Sequence, residues 1–426
     1  MTKTCLIACA LFVCASTARA DVIADWNVQT ARSIGVASTP GTLPTARRGP
    51  SSLFDLATVH AAMHDAVQAY EGRFEPYCGE IPGVSGSPIA AAAAAAHGVL
   101  VALFPAQSVA LDAALEASLL KYGLSGTDAG VSAGQRAAAC VVLKRAGDTN
   151  ARTAPDWFMG GNAPGEWQPT ALTMAGTPAP MTAGFIATFA PFTLKTPDQF
   201  RASQAPPHLT SGLYARDYNE VKSVGASNST TRTPEQTRIA RFFSDGPPSY
   251  WNGTVRSLTT EHGLNLGDSA RVFALLNMSM ADAVISAWDS KVAWNFWRPV
   301  TAIREGDRDG NPRTAGQANW TSLVGAPNYP DYTSGANNLA GAATTTLANF
   351  FGSDELRFTL TSATVAPPDN VRQYTRLSDA ARDVVDARIY MGIHFRFADT
   401  VAVRQGTHVA NWAFGHFMRP IEEAGR

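Results

Sequence analysis

Apolar residues recur at three- and four-residue intervals through most of the chain, and that spacing predicts helices over 51–70, 87–104, 108–122, 126–146, 234–243, 267–295, 334–351, 378–394 and 401–417. Strand-like alternation is scarce, so the expected class is all-α, most economically a pair of packed helical bundles. Between 148 and 210 the chain turns to Pro, Gly, Thr and Trp with no sustained period, which reads as an ordered irregular excursion lying over the helices. No repeat at a fixed period and no block of like charge interrupts this plan. One domain is expected from 21 to 426, with N-terminal helices over about 48–146, the excursion over about 148–210 and a second helical half over about 233–418.

The first twenty residues, "MTKTCLIACALFVCASTARA", run from an early lysine through an apolar stretch to Ala-Arg-Ala before Asp21. This is the layout of a cleaved secretory signal, so residues 1–20 are expected to be a signal peptide and the protein periplasmic or secreted. Loss of Lys3 and Arg19 would take the net charge from -1 to -3, which excludes the strongly basic balance of nucleic-acid binders. It would also remove three of five cysteines, leaving Cys78 and Cys140, enough for one disulfide and too few for a disulfide scaffold or a cysteine metal site. No membrane span is expected: the best candidate, "IAAAAAAAHGVLVALF" from Ile89, is shorter than the ~20 residues a span needs and reads as a buried helix.

Three short stretches carry chemistry. "KVAWNFWRPVTAIR" sets Lys291 and Arg298 seven residues apart in an aromatic run; on a helix they would share a face roughly 10 Å apart and could close on one anion. "PDYTSGANNLAGA" places Ser334 and Gly335 at a helix start, where free N–H groups and the positive end of the dipole favour an oxyanion that the glycine lets approach. "ARIYMGIHFRFAD" carries Arg388 and His394, whose six-residue spacing falls about 120° short of whole turns. The two reach one point only if it lies off the helix end.

Lys-x6-Arg-Pro, then Ser-Gly, then Arg-x5-His, in that order over about 267–417, resembles the vanadium-dependent haloperoxidases and the type 2 phosphatidic-acid phosphatase superfamily that contains them. Trp288 and "WRPVTAIR" reinforce the likeness, and "TVHAAMHDAV" from Thr58 resembles a helix of bacterial members. The resemblance implies the helical bundles of that family and a vanadate cofactor, with phosphate able to take the same site. It implies that Lys291, Arg298 and Arg388 clamp the oxyanion with charge-assisted hydrogen bonds, helped by Ser334 and the Gly335 N–H. His394 would bond the vanadium through a neutral ring nitrogen, and Lys291 would polarise peroxide. His394 and Lys291 are thus the implied catalytic residues. The implied activity is oxidation of halide or a small organic substrate by hydrogen peroxide. Two alternatives stand beside it: a phosphomonoester hydrolase with His394 as nucleophile, and a non-catalytic oxyanion-binding homologue.

The family's usual Pro-Ser-Gly-His reads Thr333, Ser334, Gly335, Ala336 here, so the acid-base histidine is missing from its place; Asn337 can hydrogen-bond but not titrate. His60, His64, His262, His408 and His416 are candidates to fill it. His60 and His64, at i and i+4 beside Asp65, would otherwise be a helix-face pair for a divalent metal, though spacing indicates no third ligand. Asp245 before Gly-Pro-Pro would either hold a site arginine or simply form a turn. Asn228, Asn252, Asn277 and Asn319 head Asn-x-Ser/Thr sequons.

Overall fold

A computed structural model describes residues 21–37 and 49–421; the expected signal peptide lies outside the described residues. The first bundle holds α1 (Val22–Ala37), α2 (Ser52–Glu71), α3 (Pro88–Leu103), α4 (Ser108–Lys121) and α5 (Ala129–Lys144), followed by the short α6 (Asp148–Thr153). After the excursion come α7 (Gly212–Val224), α8 (Pro234–Phe242), α9 (Pro247–Glu261), α10 (Leu266–Trp294) and the short α11 (Pro299–Arg304). The remainder is α12 (Gly335–Phe351), strands β1 (Glu355–Thr361) and β2 (Val371–Arg376), then α13 (Leu377–Met391) and α14 (Arg396–His416).

The alanine run of α3 exists for close packing. Ser87 caps its first turn and Pro88 starts it; Ala90 to Ala96 are all buried. A Cβ on Gly134 of α5 would lie 2.2 Å from the Ala91 carbonyl, so α3 and α5 nearly touch backbone to backbone. The same device joins α12 to α14. A Cβ on Gly341 would come 2.2 Å from Val403 O, and one on Gly406 2.0 Å from Asn338 O. That contact fixes the start of α12 against the first turns of α14, where the site lies.

Among the described residues, the helix long and apolar enough to cross a membrane is α10 rather than the Ile89 segment, and its apolar window is wholly buried in the protein. It is the shared central helix, packing on α2 from one side and on α12 and α14 from the other. Buried carboxylates on α10 order the excursion. Asp282 accepts from the backbone N–H groups of Phe192, Thr193 and Leu194 and from the Thr193 hydroxyl. Asp289 takes a bidentate pair from Arg201 at 2.7 Å and 2.7 Å. Segment 192–201 is thereby tied down just before Lys291.

Several expectations need correction. α1, α6, α7, α9 and α11 are helices that the periodicity reading left out, and β1 pairs antiparallel with β2, Phe358 facing Tyr374. β1 alternates Leu356, Phe358 and Leu360 inward, a period-two signal too short to stand out. α10 stops at Trp294, with Asn295 in the left-handed region at φ 45, so Lys291 and Arg298 do not share a helix face; the aromatic and proline-bound residues after 294 leave the helix. Helix α13 stops at Met391 because Gly392 turns the chain at φ 80. Cys78 and Cys140 are bonded. The Asn252 and Asn277 side chains are buried and hydrogen-bonded to each other, so these two sequons are inaccessible in this fold.

Candidate oxyanion site

Four chain segments converge where α10, α12 and α13 end or begin. Lys291 sits in the last turn of α10, and Arg298 is the residue before α11. Ser334 and Gly335 open α12, Arg388 is in the last turn of α13, and His394 follows the Gly392 turn. Arg388 and His394 therefore meet off the end of their helix, as their spacing requires.

Both opening cations are fully buried, and the segment 329–331 holds them. Lys291 Nζ donates to the carbonyls of Pro330 at 2.7 Å and Asp331 at 3.2 Å. Arg298 Nε donates to Tyr329 O at 2.7 Å and Nη1 to Ile393 O at 2.6 Å. The Tyr329 ring lies 5.0 Å from Lys291 Nζ and 4.7 Å from the Arg298 guanidinium carbon, so the aromatic surroundings supply cation–π faces as well as apolar walls. Arg298 Nη1 is also 3.2 Å from His394 Nε2.

Two donors on these arginines have no protein partner: Arg298 Nη2 and Arg388 Nε are buried without an acceptor. Burying a guanidinium N–H unpaired is costly, and an oxyanion is the ligand that would satisfy it. Arg388 otherwise offers Nη1 only to the Met391 sulfur at 3.5 Å. At the start of α12, Asn338 N makes the first helical bond to Ser334 O at 3.1 Å, which leaves the N–H groups of Gly335, Ala336 and Asn337 outside the helix's own ladder. The side of Gly335 that a Cβ would occupy faces Trp288, 3.0 Å away. Its lack of a side chain is therefore needed for packing as well as for any approach of an anion.

Sequence reasoning missed two acids here. Asp331 is fully buried, with Oδ1 2.7 Å from His394 Nδ1 and 3.8 Å from Arg298 Nη1. The contact with the ring is close but off the hydrogen-bond axis. Asp399, on the first turn of α14, accepts from Asn337 Nδ2 at 2.7 Å, and its other oxygen is buried without a partner. Both stand inside the quoted motifs, in "PDYTSG" and "RFAD"; an acid within an otherwise apolar stretch was the signal available.

Burial sets the protonation states. Desolvation, then the charges of Arg298, Lys291 and Arg388, pushes His394 well below its usual range, so the imidazole is neutral. Desolvation and the Arg298 charge likewise push Lys291 well below the usual lysine range. Burial raises Asp331 to about 7 against the pull of Arg298 and Lys291. Burial, reinforced by Asp331, raises Asp399 well above the carboxylate range.

The other candidates lie elsewhere. His60 contacts Asn27 and His64 the Glu75 carbonyl. His262 packs on Phe351, His408 on Phe200 and His416 on Trp412. None of these contacts brings an imidazole to Ala336; Asn337 and Asp399 are the polar groups there. Asp65 is occupied by the Tyr77 and Cys78 N–H groups, and among the described residues no three His, Cys, Asp or Glu gather as a metal cluster. Asp245 accepts from the N–H groups of Gly246 and Ala363, which is the turn role.

Residues 271–423 match the family described as VCPO second helical-bundle domain. A vanadium chloroperoxidase of Curvularia inaequalis is 30% identical over 188 residues, 36% of this chain and 31% of that protein, so the match spans about a third of the relative's length. In fold, the chain is similar to the first bacterial vanadium-dependent iodoperoxidase, with a TM-score of 0.74 at 23% identity over 93% of this chain and 96% of that one. It is also similar to an apo-type bacterial vanadium-dependent chloroperoxidase, with a TM-score of 0.69 at 19% identity over 85% and 92%. The family match over 271–423 covers Lys291, Arg298, Ser334, Gly335, Arg388 and His394, and this part of the chain is identified as a helical bundle of the vanadium haloperoxidase superfamily.

Proposed function

We propose that this protein is a secreted or periplasmic vanadate-dependent peroxidase that uses hydrogen peroxide to oxidise a halide or a small organic nucleophile. The observation that carries the reading is the convergence of Lys291, Arg298, Arg388 and His394 with unsatisfied donors on both arginines. These residues fit the group. Arg298, Arg388 and Lys291 would bind its oxygens, Ser334 and the Gly335 N–H would add donors, and His394 Nε2 would meet the vanadium. Vanadate, when bound, supplies a Lewis acid that activates peroxide while keeping its oxidation state.

The chain's own contributions follow from burial. His394 is held neutral, as an imidazole that is to ligate a metal must be. Lys291 is positioned by two carbonyls and would be a donor that draws charge from a peroxide oxygen. The buried Trp288 ring and the Tyr329 ring, 4.9 Å apart, stand beside Lys291 as apolar surface, which strengthens each of these interactions. The Cys78–Cys140 disulfide supports an oxidising compartment.

The test is to add orthovanadate to the purified protein and assay bromide oxidation and aryl phosphate hydrolysis on one preparation. Vanadate-dependent oxidation with little hydrolysis is expected. Hydrolysis without vanadate, inhibited by it, would assign the site to phosphate esters with His394 as nucleophile. Neither activity despite tight vanadate binding would leave a binding protein.

A further inference from the structure

We infer that Asp331 is a positioning residue that holds His394 as the Nδ1–H tautomer and so aims a lone pair on Nε2 into the oxyanion site. The inference rests on the proposed function and extends it to a residue outside the family motifs.

The two ring nitrogens have different neighbours. Nε2 is 3.2 Å from Arg298 Nη1, and a guanidinium only donates, so a hydrogen on Nε2 would face another hydrogen. Nδ1 is 2.7 Å from Asp331 Oδ1, and the other group that faces it is the backbone of Asp331 itself. A carboxyl group keeps an acceptor oxygen whether or not it is protonated, so it suits Nδ1–H in either form. Both sides of the ring therefore assign the hydrogen to Nδ1, and a small ring rotation brings the 2.7 Å contact onto the hydrogen-bond axis.

Asp331 is also rigidly placed. Its N–H donates to Phe296 O at 2.9 Å, its carbonyl and that of Pro330 accept from Lys291, and Tyr329 O accepts from Arg298. The backbone of 329–331 thus seats two cations of the site while one of its side chains seats the histidine. Such partners of a ligating imidazole typically change metal affinity by roughly 10–100-fold.

The experiment uses the full chain with ¹⁵N-labelled histidine. Long-range ¹H–¹⁵N spectra of the vanadate-free protein report the tautomer, and calorimetry measures orthovanadate and inorganic phosphate separately for wild type, Asp331→Asn and Asp331→Ala. Wild type should show Nδ1–H at His394. Asp331→Asn, which keeps an acceptor, should stay within a few-fold of wild type. Asp331→Ala should lose about 10-fold or more in vanadate affinity, with a smaller change for phosphate, which draws on the cations alone. Finding Nε2–H in wild type, or vanadate affinity equal or higher in Asp331→Ala, overturns the inference; the latter would make Asp331 a mere repelling charge. A wild type that binds neither anion overturns the oxyanion-site reading and this one with it.

Discussion

Arg298 Nη1 and His394 Nε2 lie 3.2 Å apart in the buried centre of the site. A guanidinium hydrogen and an imidazole lone pair thus meet where each is proposed to meet one oxyanion, and the two contributions can be separated by mutation. Arg298→Ala and Arg388→Ala should each reduce vanadate affinity at least ~30-fold, since truncating one partner of a buried charge pair costs roughly 2–5 kcal/mol. His394→Ala should still bind phosphate, and vanadate more weakly, but lose peroxidase turnover. Full turnover in His394→Ala would remove that residue from the mechanism.

Ala336 alone in 331–344 is not buried, and it stands beside Asn337, which is bonded to Asp399. Ala336→His should raise turnover of the loaded protein, by up to the ~100-fold typical of a restored acid-base group. The pH–rate profile should show a new ionisation moved by the nearby cations toward the neutral form. A folded, vanadate-binding variant with no gain would mean that another group, with Asp399 on the neighbouring Asn337 as the candidate, already moves the proton.

The order of the motifs was enough to pick out residues that the fold brings together, with Arg298 and His394 in contact at their centre. Where each cation sits on its helix was not legible. Lys291 and Arg298 look like one helix face until Asn295 adopts its left-handed turn, after which the Asn295 and Phe296 carbonyls accept from the Trp167 and Asp331 N–H groups, both distant in sequence. Asp331 and Asp399 were invisible as site residues for a similar reason: their role depends on contacts with His394 and Asn337, 63 and 62 residues away. The excursion could be read as ordered, but not why, since its anchors are Asp282 and Asp289 on a helix 88–90 residues later.

Acid should expose the buried imidazoles of α2. Burial pushes His60 down to about 3 and His64 down to about 4, from 6.5. Their folded values are depressed, so their contribution to stability is full above about 6.5 and is lost as pH falls toward those values. Asp65, raised to about 7 by burial, acts oppositely: its contribution is full below about 4 and is lost as pH rises to about 7. His64→Gln should therefore gain stability relative to wild type between pH 6.5 and 4, by at most about 1.4 kcal/mol per pH unit. Denaturant midpoints across that range check it; parallel curves would contradict it.

Cys78 and Cys140 close a loop with a sequence separation of 62. Loop-closure entropy alone gives about 4 kcal/mol for such a length, and native disulfides of this kind contribute roughly 2–5 kcal/mol. Cys78→Ser with Cys140→Ser should lower unfolding free energy by that order while leaving vanadate affinity unchanged, because the bond lies in the first bundle. Equal denaturant midpoints with and without the bond would count against it.

Calorimetric titration of orthovanadate into the vanadate-free protein, repeated in excess inorganic phosphate and with Arg298→Ala, reads out directly whether these residues form one buried oxyanion site. One vanadate per chain should bind, phosphate should compete for it, and the variant should show at least ~30-fold weaker binding. At a hundredfold excess over Kd, either anion should add about 2.7 kcal/mol of stability and raise the thermal midpoint. Binding that phosphate does not displace, undiminished binding in Arg298→Ala, or no binding at millimolar vanadate would contradict a buried oxyanion site built on Lys291, Arg298, Arg388 and His394.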